Sequence, residues 1–484
     1  MKRLGWLMLL LLYPRLLVAQ EADPRELEGR HWYGLYFNEQ KAGYAVHELK
    51  VDDAGTVVVT EDAVFNVNMG QIAQRMRVFT QRTYAAGGDL VSINMSVEDP
   101  SGTKQFIAAT DAEIMMFRTI RGEDRTEEVR ARPAESLSDV LRQYELVTNG
   151  PAVGDEISFT MFEPLYAQEV TGTSRIEAIH EKVIDGERRT VYEVHSVLDL
   201  VPVESVAMVL DNGVTYRDQV AGIIEMRLET EEEATKEVPV PDVVTSNAAH
   251  LDEPIADART RESLTLRLRG PLGPEHLIED ARQSFMRDGD AFHFLGHRRN
   301  PGAVQSMELP LDNLDDELAQ WLEPSLYVQS DDERLIDKAA EIIGNETGAF
   351  EAAKLLNNWV FANVRKTFSA RLSEALEVLE NLEGDCTEHS VLFVGLARAA
   401  GIPAREVAGL VYVEAPEPGF YFHQWAKVWV GEWVDMDPTF DQVTVDATHI
   451  KLAVGDLLEQ AQLIPIIGKI EAKVVDEAAL AEAE

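Results

Sequence analysis

The chain has 484 residues, 45% hydrophobic and 27% charged, which is enough for roughly two to four domains with substantial cores. It carries 44 basic against 85 acidic residues, a formal net charge of −41, which argues against nucleic acid or anionic lipid as partners and favours solubility or cationic partners. Its single cysteine, Cys386, excludes an internal disulfide and a multi-cysteine metal centre.

The first 20 residues, MKRLGWLMLLLLYPRLLVAQ, read as a secretory signal peptide. Lys2 and Arg3 precede an apolar run from Leu4 to Leu12, and Leu17 to Gln20 offer short residues near a cleavage point. Pro14 and Arg15 interrupt the run short of the ~20 apolar residues of a bilayer span. No other segment is apolar enough to cross, so the mature chain is expected to have no membrane span and to be exported across the inner membrane to the periplasm. Loss of Lys2, Arg3 and Arg15 takes the charge from −41 to −44. In an oxidising compartment a lone thiol is exposed to oxidation, and its presence calls for a reason.

Residues 27–236 alternate in short runs broken by turn signals. Phe65, Val67 and Met69 share one face of a strand, and Gly87-Gly88, Asp185-Gly186 and Asn212-Gly213 supply hairpin turns. The region is expected to be β-rich, as one large or two smaller domains, with a single helix over Ser136 to Leu146. Residues 237–260 contain prolines and acids without apolar periodicity and read as a linker. In residues 261–475 a strand at Ser263 to Arg269 is followed by helical patterns at Asp332 to Ile343, Ala349 to Val364 and Ser373 to Leu379. Strands return after Ala404, so this part is α+β.

The segment around Cys386, EGDCTEHSVLFVGLARAAGIPAR, reads as a helix with Asp385 as N-cap, Cys386 in the first turn, and Gly401 and Pro403 as its stop. Unpaired N–H groups and the positive helix end at that position stabilise a thiolate and offer donors to an oxyanion. Downstream, YFHQWAKVWVGEWVDMDPTF alternates on both sides of Gly431-Glu432 and reads as a hairpin. A two-residue loop would place His423 and Asp437 on opposite faces. A three-residue loop, Val430-Gly431-Glu432, instead pairs Trp429 with Trp433 and Lys427 with Asp435, and makes His423 and Asp437 diagonal neighbours on one face. The register that best matches side chains across the hairpin thus also aims a carboxylate at an imidazole. Cysteine at a helix start with histidine and aspartate on adjacent strands is an arrangement of nucleophile, base and orienting acid.

These residues resemble the core of the transglutaminase-like superfamily, in particular its secreted bacterial members. The matching pieces are Gly384-Asp385-Cys386, the Gly401-Ile402-Pro403-Ala404-Arg405 turn, His423 with Trp425, and Asp437-Pro438-Thr439. The resemblance covers Ala375 to Phe440 closely and roughly a third of the chain in all, with a catalytic core at about 332–442. It implies a papain-like α+β fold, with Cys386, His423 and Asp437 as the catalytic triad and a protein or peptide substrate. It names no second oxyanion donor, for which Trp359 and Gln424 are candidates, and leaves open any need for calcium.

Other residues invite weaker readings. His389, one turn after Cys386, and the His293/His297 pair lack the companions of a metal site, so no metal and no cofactor is expected. Trp425, Trp429 and Trp433 read as a packed hairpin face, with Trp425 placed to shield His423 from water. The expected function is a thiol acyltransferase or cysteine protease/amidase acting on carboxamide or peptide bonds, with amine and water both open as acceptors. The alternative is a non-enzymatic periplasmic binding or assembly module that uses the core as a scaffold. In either case the β-rich region would select an unknown protein partner.

Overall fold

The computed structural model describes residues 24–475 apart from 70–71, 101, 123, 149–150, 200–203, 243, 300–306, 312–313 and 368–372. The expected signal segment 1–20 and the side chain of Met69 lie outside the described residues. The chain divides after Asp242 into two compact units.

The N-terminal unit is built on one antiparallel sheet of 14 strands, from Gly29–Phe37 to Ile224–Glu229. Strand follows strand through hairpins, and the first strand also pairs with the last, so the sheet runs outward in both directions from that central pairing to edges at Asp124–Ala131 and Glu156–Glu163. Turn chemistry sets this pattern: Asp185 and Gly186, at φ 52° and 82°, close a long hairpin tightly. The expected helix forms over Leu137–Thr148 and packs Leu146 and Val147 onto Ile176, Val194, Ala207 and Val209. A buried polar network ties this unit together. Glu135 accepts from the Arg82 guanidinium at 3.2 Å, the Tyr84 hydroxyl at 2.6 Å and the Phe162 N–H at 2.7 Å.

The C-terminal unit contains helices Glu333–Ile343, Ala349–Asn363, Ala375–Asn381 and Cys386–Ala399. They pack on a five-stranded sheet in which Ala404–Val413 lies between Gly419–Trp429 and Ile450–Val454, and Trp433–Met436 adds to the far side of Gly419–Trp429. Val391, Val394 and Leu396 of the last helix share a core with Ala426, Val428, Val434 and Met436. The other face of the hairpin carries Trp425, which packs with Val407 and Val445.

The expected linker 237–260 is corrected by the structure in its second half. Ala249–His250 pairs with Phe420 and Gly419, Ile255 is buried, and Arg259 reaches Asp446 at 3.0 Å. Its irregular composition reflects a segment ordered by a sheet edge and ion pairs, which leave no apolar period.

Gly409 decides how closely the strands approach. It sits opposite His423 on one side and at a register shift against Ile450–Val454 on the other. A Cβ there would lie 1.9 Å from the Ile450 carbonyl oxygen. Gly409→Ala is expected to destabilise the C-terminal unit by about 1–3 kcal/mol or more through overpacking, read by chemical denaturation. The unfolding transition of the N-terminal unit should stay in place.

Candidate active site

The helix bearing Cys386 starts as its sequence dictates. The Asp385 carboxylate accepts from the Thr387 N–H at 2.8 Å, and Glu388 reaches back to the Asp385 N–H at 2.9 Å, a capping box that fixes the first turn. Gly384 is required beneath it, because a Cβ there would lie 2.1 Å from the Glu388 Cβ. Burial and the neighbouring Glu388 raise the Asp385 carboxyl well above the usual carboxylate range.

The hairpin takes the three-residue-loop register, with Trp429 opposite Trp433 and Lys427 opposite Asp435. The Cys386 sulfur lies near enough to the His423 imidazole to favour its protonated form. His423 Nε2 donates to Asp437 Oδ2 at 2.8 Å, which leaves Nδ1 for the sulfur. Cys386 and His423 are each 8% exposed and Asp437 is fully buried. The structure therefore brings together all three residues singled out by the sequence. Trp425 stacks on His423 with ring centres 6.0 Å apart, and Phe440 covers another side at 5.2 Å.

Two further residues complete the cluster. His449 Nε2 lies 3.0 Å from Asp437 Oδ2, and its Nδ1 lies 3.2 Å from Asp446 Oδ1. Asp446 in turn binds Arg259 Nη1, the Gln442 amide at 2.7 Å and the Thr448 N–H at 2.8 Å. Because both nitrogens of His449 face carboxylates, only the imidazolium can donate to each of them. His449 is a buried cation clamped between two anions.

Charge states follow from this geometry. Burial disfavours an imidazolium at position 423, but Asp437 and the Cys386 sulfur outweigh it and push His423 up to about 9. His449 is likewise raised: burial opposes its charge, while Asp446 and Asp437 prevail. Burial would raise the Asp437 carboxyl, yet His423 and His449 hold it well below the usual carboxylate range. The stability stored in the two raised histidines is fully present below their unfolded pKa of ~6.5 and fades as pH rises through their folded values, about 9 for His423.

The ring nitrogens of His423 and His449 and one Asp437 oxygen lie within 4.8 Å of one another, so these three could hold a metal ion. An ion there would displace both N–H···O bonds to Asp437. The other histidines stand apart. His389 Nδ1 is held by the Asp385 carbonyl at 2.7 Å, and His293 and His297 sit in the strand Ala291–His297. As for the oxyanion candidates, the Gln424 amide donates to Glu406 at 2.5 Å and is engaged away from His423, while Trp359 packs on the helical core beneath Lys338.

Residues 336–438 match the sequence model of the transglutaminase-like superfamily. This segment is a transglutaminase-like core. The chain is 30% identical over 128 residues to an uncharacterized protein of Haemophilus influenzae, a match covering 25% of this chain and 34% of that one. It thus spans about a third of the length of the curated relative it matches. A solved chain from Cytophaga hutchinsonii, provisionally described as a cysteine protease, aligns at 19% identity with TM-score 0.31, over 45% of this chain and 84% of that one. A β-barrel-like protein of a domain of unknown function from Brucella abortus aligns at 12% identity with TM-score 0.33, over 42% and 95% respectively.

His449 shares the charge of Asp437 with His423 and lies against its ring, with centres 5.9 Å apart. His449→Gln is expected to leave Asp437 with one cationic partner fewer and so raise the pKa of His423 further. The measurement is the His423 imidazole titration by NMR in both proteins. An unshifted titration would mean that His449 only fills space.

Proposed function

We propose that the chain is a cysteine acyltransferase or hydrolase that acts on carboxamide or peptide bonds, with Cys386 as nucleophile, His423 as proton carrier and Asp437 as the group that orients it. The observation that carries this reading is the His423–Asp437 hydrogen bond with Cys386 beside that histidine, at the start of a capped helix. A helix-borne thiol facing a sheet-borne histidine and aspartate is a papain-like order.

His423 takes the proton of the Cys386 thiol, leaving a thiolate and an imidazolium. The thiolate attacks the carbonyl carbon, and the N–H of Cys386 in the first helical turn donates to the oxyanion that forms. Collapse of the tetrahedral intermediate breaks the C–N bond. The imidazolium gives its proton to the departing ammonia or amine, and an acyl-thioester remains on Cys386. An incoming amine or water, deprotonated by His423, then releases the acyl group and restores the thiol. Trp425 and Phe440 around the imidazole keep bulk water from competing for its proton.

We place this reaction in the periplasm, on the strength of the signal-like first 20 residues. The β-rich N-terminal unit is the candidate for holding a protein partner, since its long hairpins present a broad sheet and, among the described residues, no second catalytic grouping of this kind.

The test is ammonia release from a glutamine-containing peptide by the full chain, with and without a primary alkylamine. Appearance of the peptide–amine conjugate marks transfer, and of the glutamate peptide hydrolysis. Cys386→Ser is expected to abolish both while the protein stays folded, and His423→Ala to slow them by about 10²–10⁴-fold. Activity unchanged in Cys386→Ser would overturn the proposal. Because the imidazolium must protonate the leaving group, kcat should hold at neutral pH and fall as pH rises through about 9, the value to which Asp437 and the sulfur push His423. An alkaline limb near 6.5, the ordinary range of histidine, would contradict the coupling.

A further inference from the structure

Beyond the triad, the same hairpin borders a second chemical centre. A cavity of about 240 Å³ has Arg282, Lys427, Trp433 and Asp435 in its wall. Lys427 lies four residues along the strand from His423, ~13 Å at the usual rise per residue, and Asp435 is two residues from Asp437. Arg282 is 5% exposed and Lys427 8%.

The Arg282 guanidinium is fixed along one edge. Its Nε faces Asp435 Oδ2 at 3.4 Å, and its Nη2 donates to Gln283 Oε1 and to the His449 carbonyl, both at 2.8 Å. Nη1 is buried with no acceptor. The Lys427 ammonium lies 5.1 Å from the centre of the Trp433 ring, and among the described residues it has no hydrogen bond or ion pair. Asp435 does not satisfy it, because its Oδ2 is taken by Lys451 at 2.7 Å and by Arg282, while its Oδ1 has no donor. Arg299, also in the wall, is paired with Glu432. Arg405 adds a further positive charge 4.4 Å from the Trp433 ring. Asp280, also in the wall, is paired with Lys451, so in a protein of net charge −41 one pocket holds two cationic groups with donors that lack acceptors among the described residues.

We propose that this cavity binds a carboxylate, held between Arg282 Nη1 and Lys427 Nζ against the Trp433 ring. A buried donor without an acceptor is costly, and a carboxylate is the oxyanion whose planar pair of oxygens matches a guanidinium edge. The unpaired Asp435 Oδ1 accepts an N–H from the molecule that carries the carboxylate, so an acidic residue or chain end of a peptide fits better than a bare ion. Burial, with Lys451 and Arg405 nearby, outweighs Asp435 and Asp280 and lowers the Lys427 pKa to about 8, and an anionic guest would raise it. The site stands whether or not Cys386 proves to be a nucleophile. It adjoins the triad through His449, whose side chain meets Asp437 and whose carbonyl holds Arg282.

The test is titration calorimetry on the full chain with acetate and with N-acetylglutamate amide, using N-acetylglutamine amide and chloride at equal ionic strength as controls. One saturable site is expected for the carboxylates and none for the glutamine compound. Tighter binding of the glutamate compound than of acetate would identify a peptide-borne carboxylate as the source, and equal binding a free acid. Lys427→Met keeps the stem on Trp433 and removes a charge that lacks a partner, so the variant should bind at least about tenfold more weakly and melt no lower than the parent. In the parent at pH 8.5, binding should take up protons as Lys427 gains its counter-ion, read from the dependence of the heat on buffer ionisation. Absence of saturable binding, or binding without proton uptake, would overturn the proposal without bearing on the triad.

Discussion

One fully buried carboxylate, that of Asp437, sets the conditions for everything around it. One oxygen takes the Thr439 and Phe440 N–H groups at 2.7 and 3.2 Å, and the other takes the imidazoles of His423 and His449. A charge in that position is stable only if all of these donors are in place, since a buried anion that loses a partner costs several kcal/mol. The hairpin register, the turn after Pro438 and the approach of the strand beginning at Ile450 are therefore mutually dependent. Gly409 permits that approach, and Arg259 anchors its far end through Asp446.

The result is a row of alternating charge, from the Cys386–His423 contact through Asp437, His449 and Asp446 to Arg259. Each member lowers the cost of burying the next. Such a row favours the imidazolium at His423, which is the state that both holds a thiolate and protonates a leaving group. Four residues further along the hairpin strand the same device is left incomplete. There Lys451 and Arg282 neutralise Asp435, but Lys427 and one edge of Arg282 remain without an anion.

Local chemistry made much of this legible from the sequence. Asp385, Cys386 and Gly401 mark the ends of the nucleophile helix, and cross-strand matching of Trp429 with Trp433 and Lys427 with Asp435 was enough to choose the hairpin register. His449 and Asp446 were not found, because they act from beyond the expected core at 442 and across a strand pairing that no local pattern encodes. The spacing in Asp446-Ala447-Thr448-His449 held a usable signal, as Asp446 Oδ1 caps the turn at Thr448 N and meets the His449 ring. Arg259 was hidden in a stretch whose prolines and acids read as a linker. In the N-terminal unit, the turn residues announced the strands but not the pairing of the first strand with the last, which joins the two ends of the region.

The central claim is that His423 activates Cys386, and it is tested most directly by alkylation. The rate of iodoacetamide modification of Cys386 would be measured at neutral pH in the folded full chain and in His423→Ala, with glutathione as the free-thiol reference. Reaction faster than the reference, slowed by roughly tenfold or more in the variant, is the result this account predicts. A thiol that reacts equally in both proteins, or only after unfolding, would contradict it.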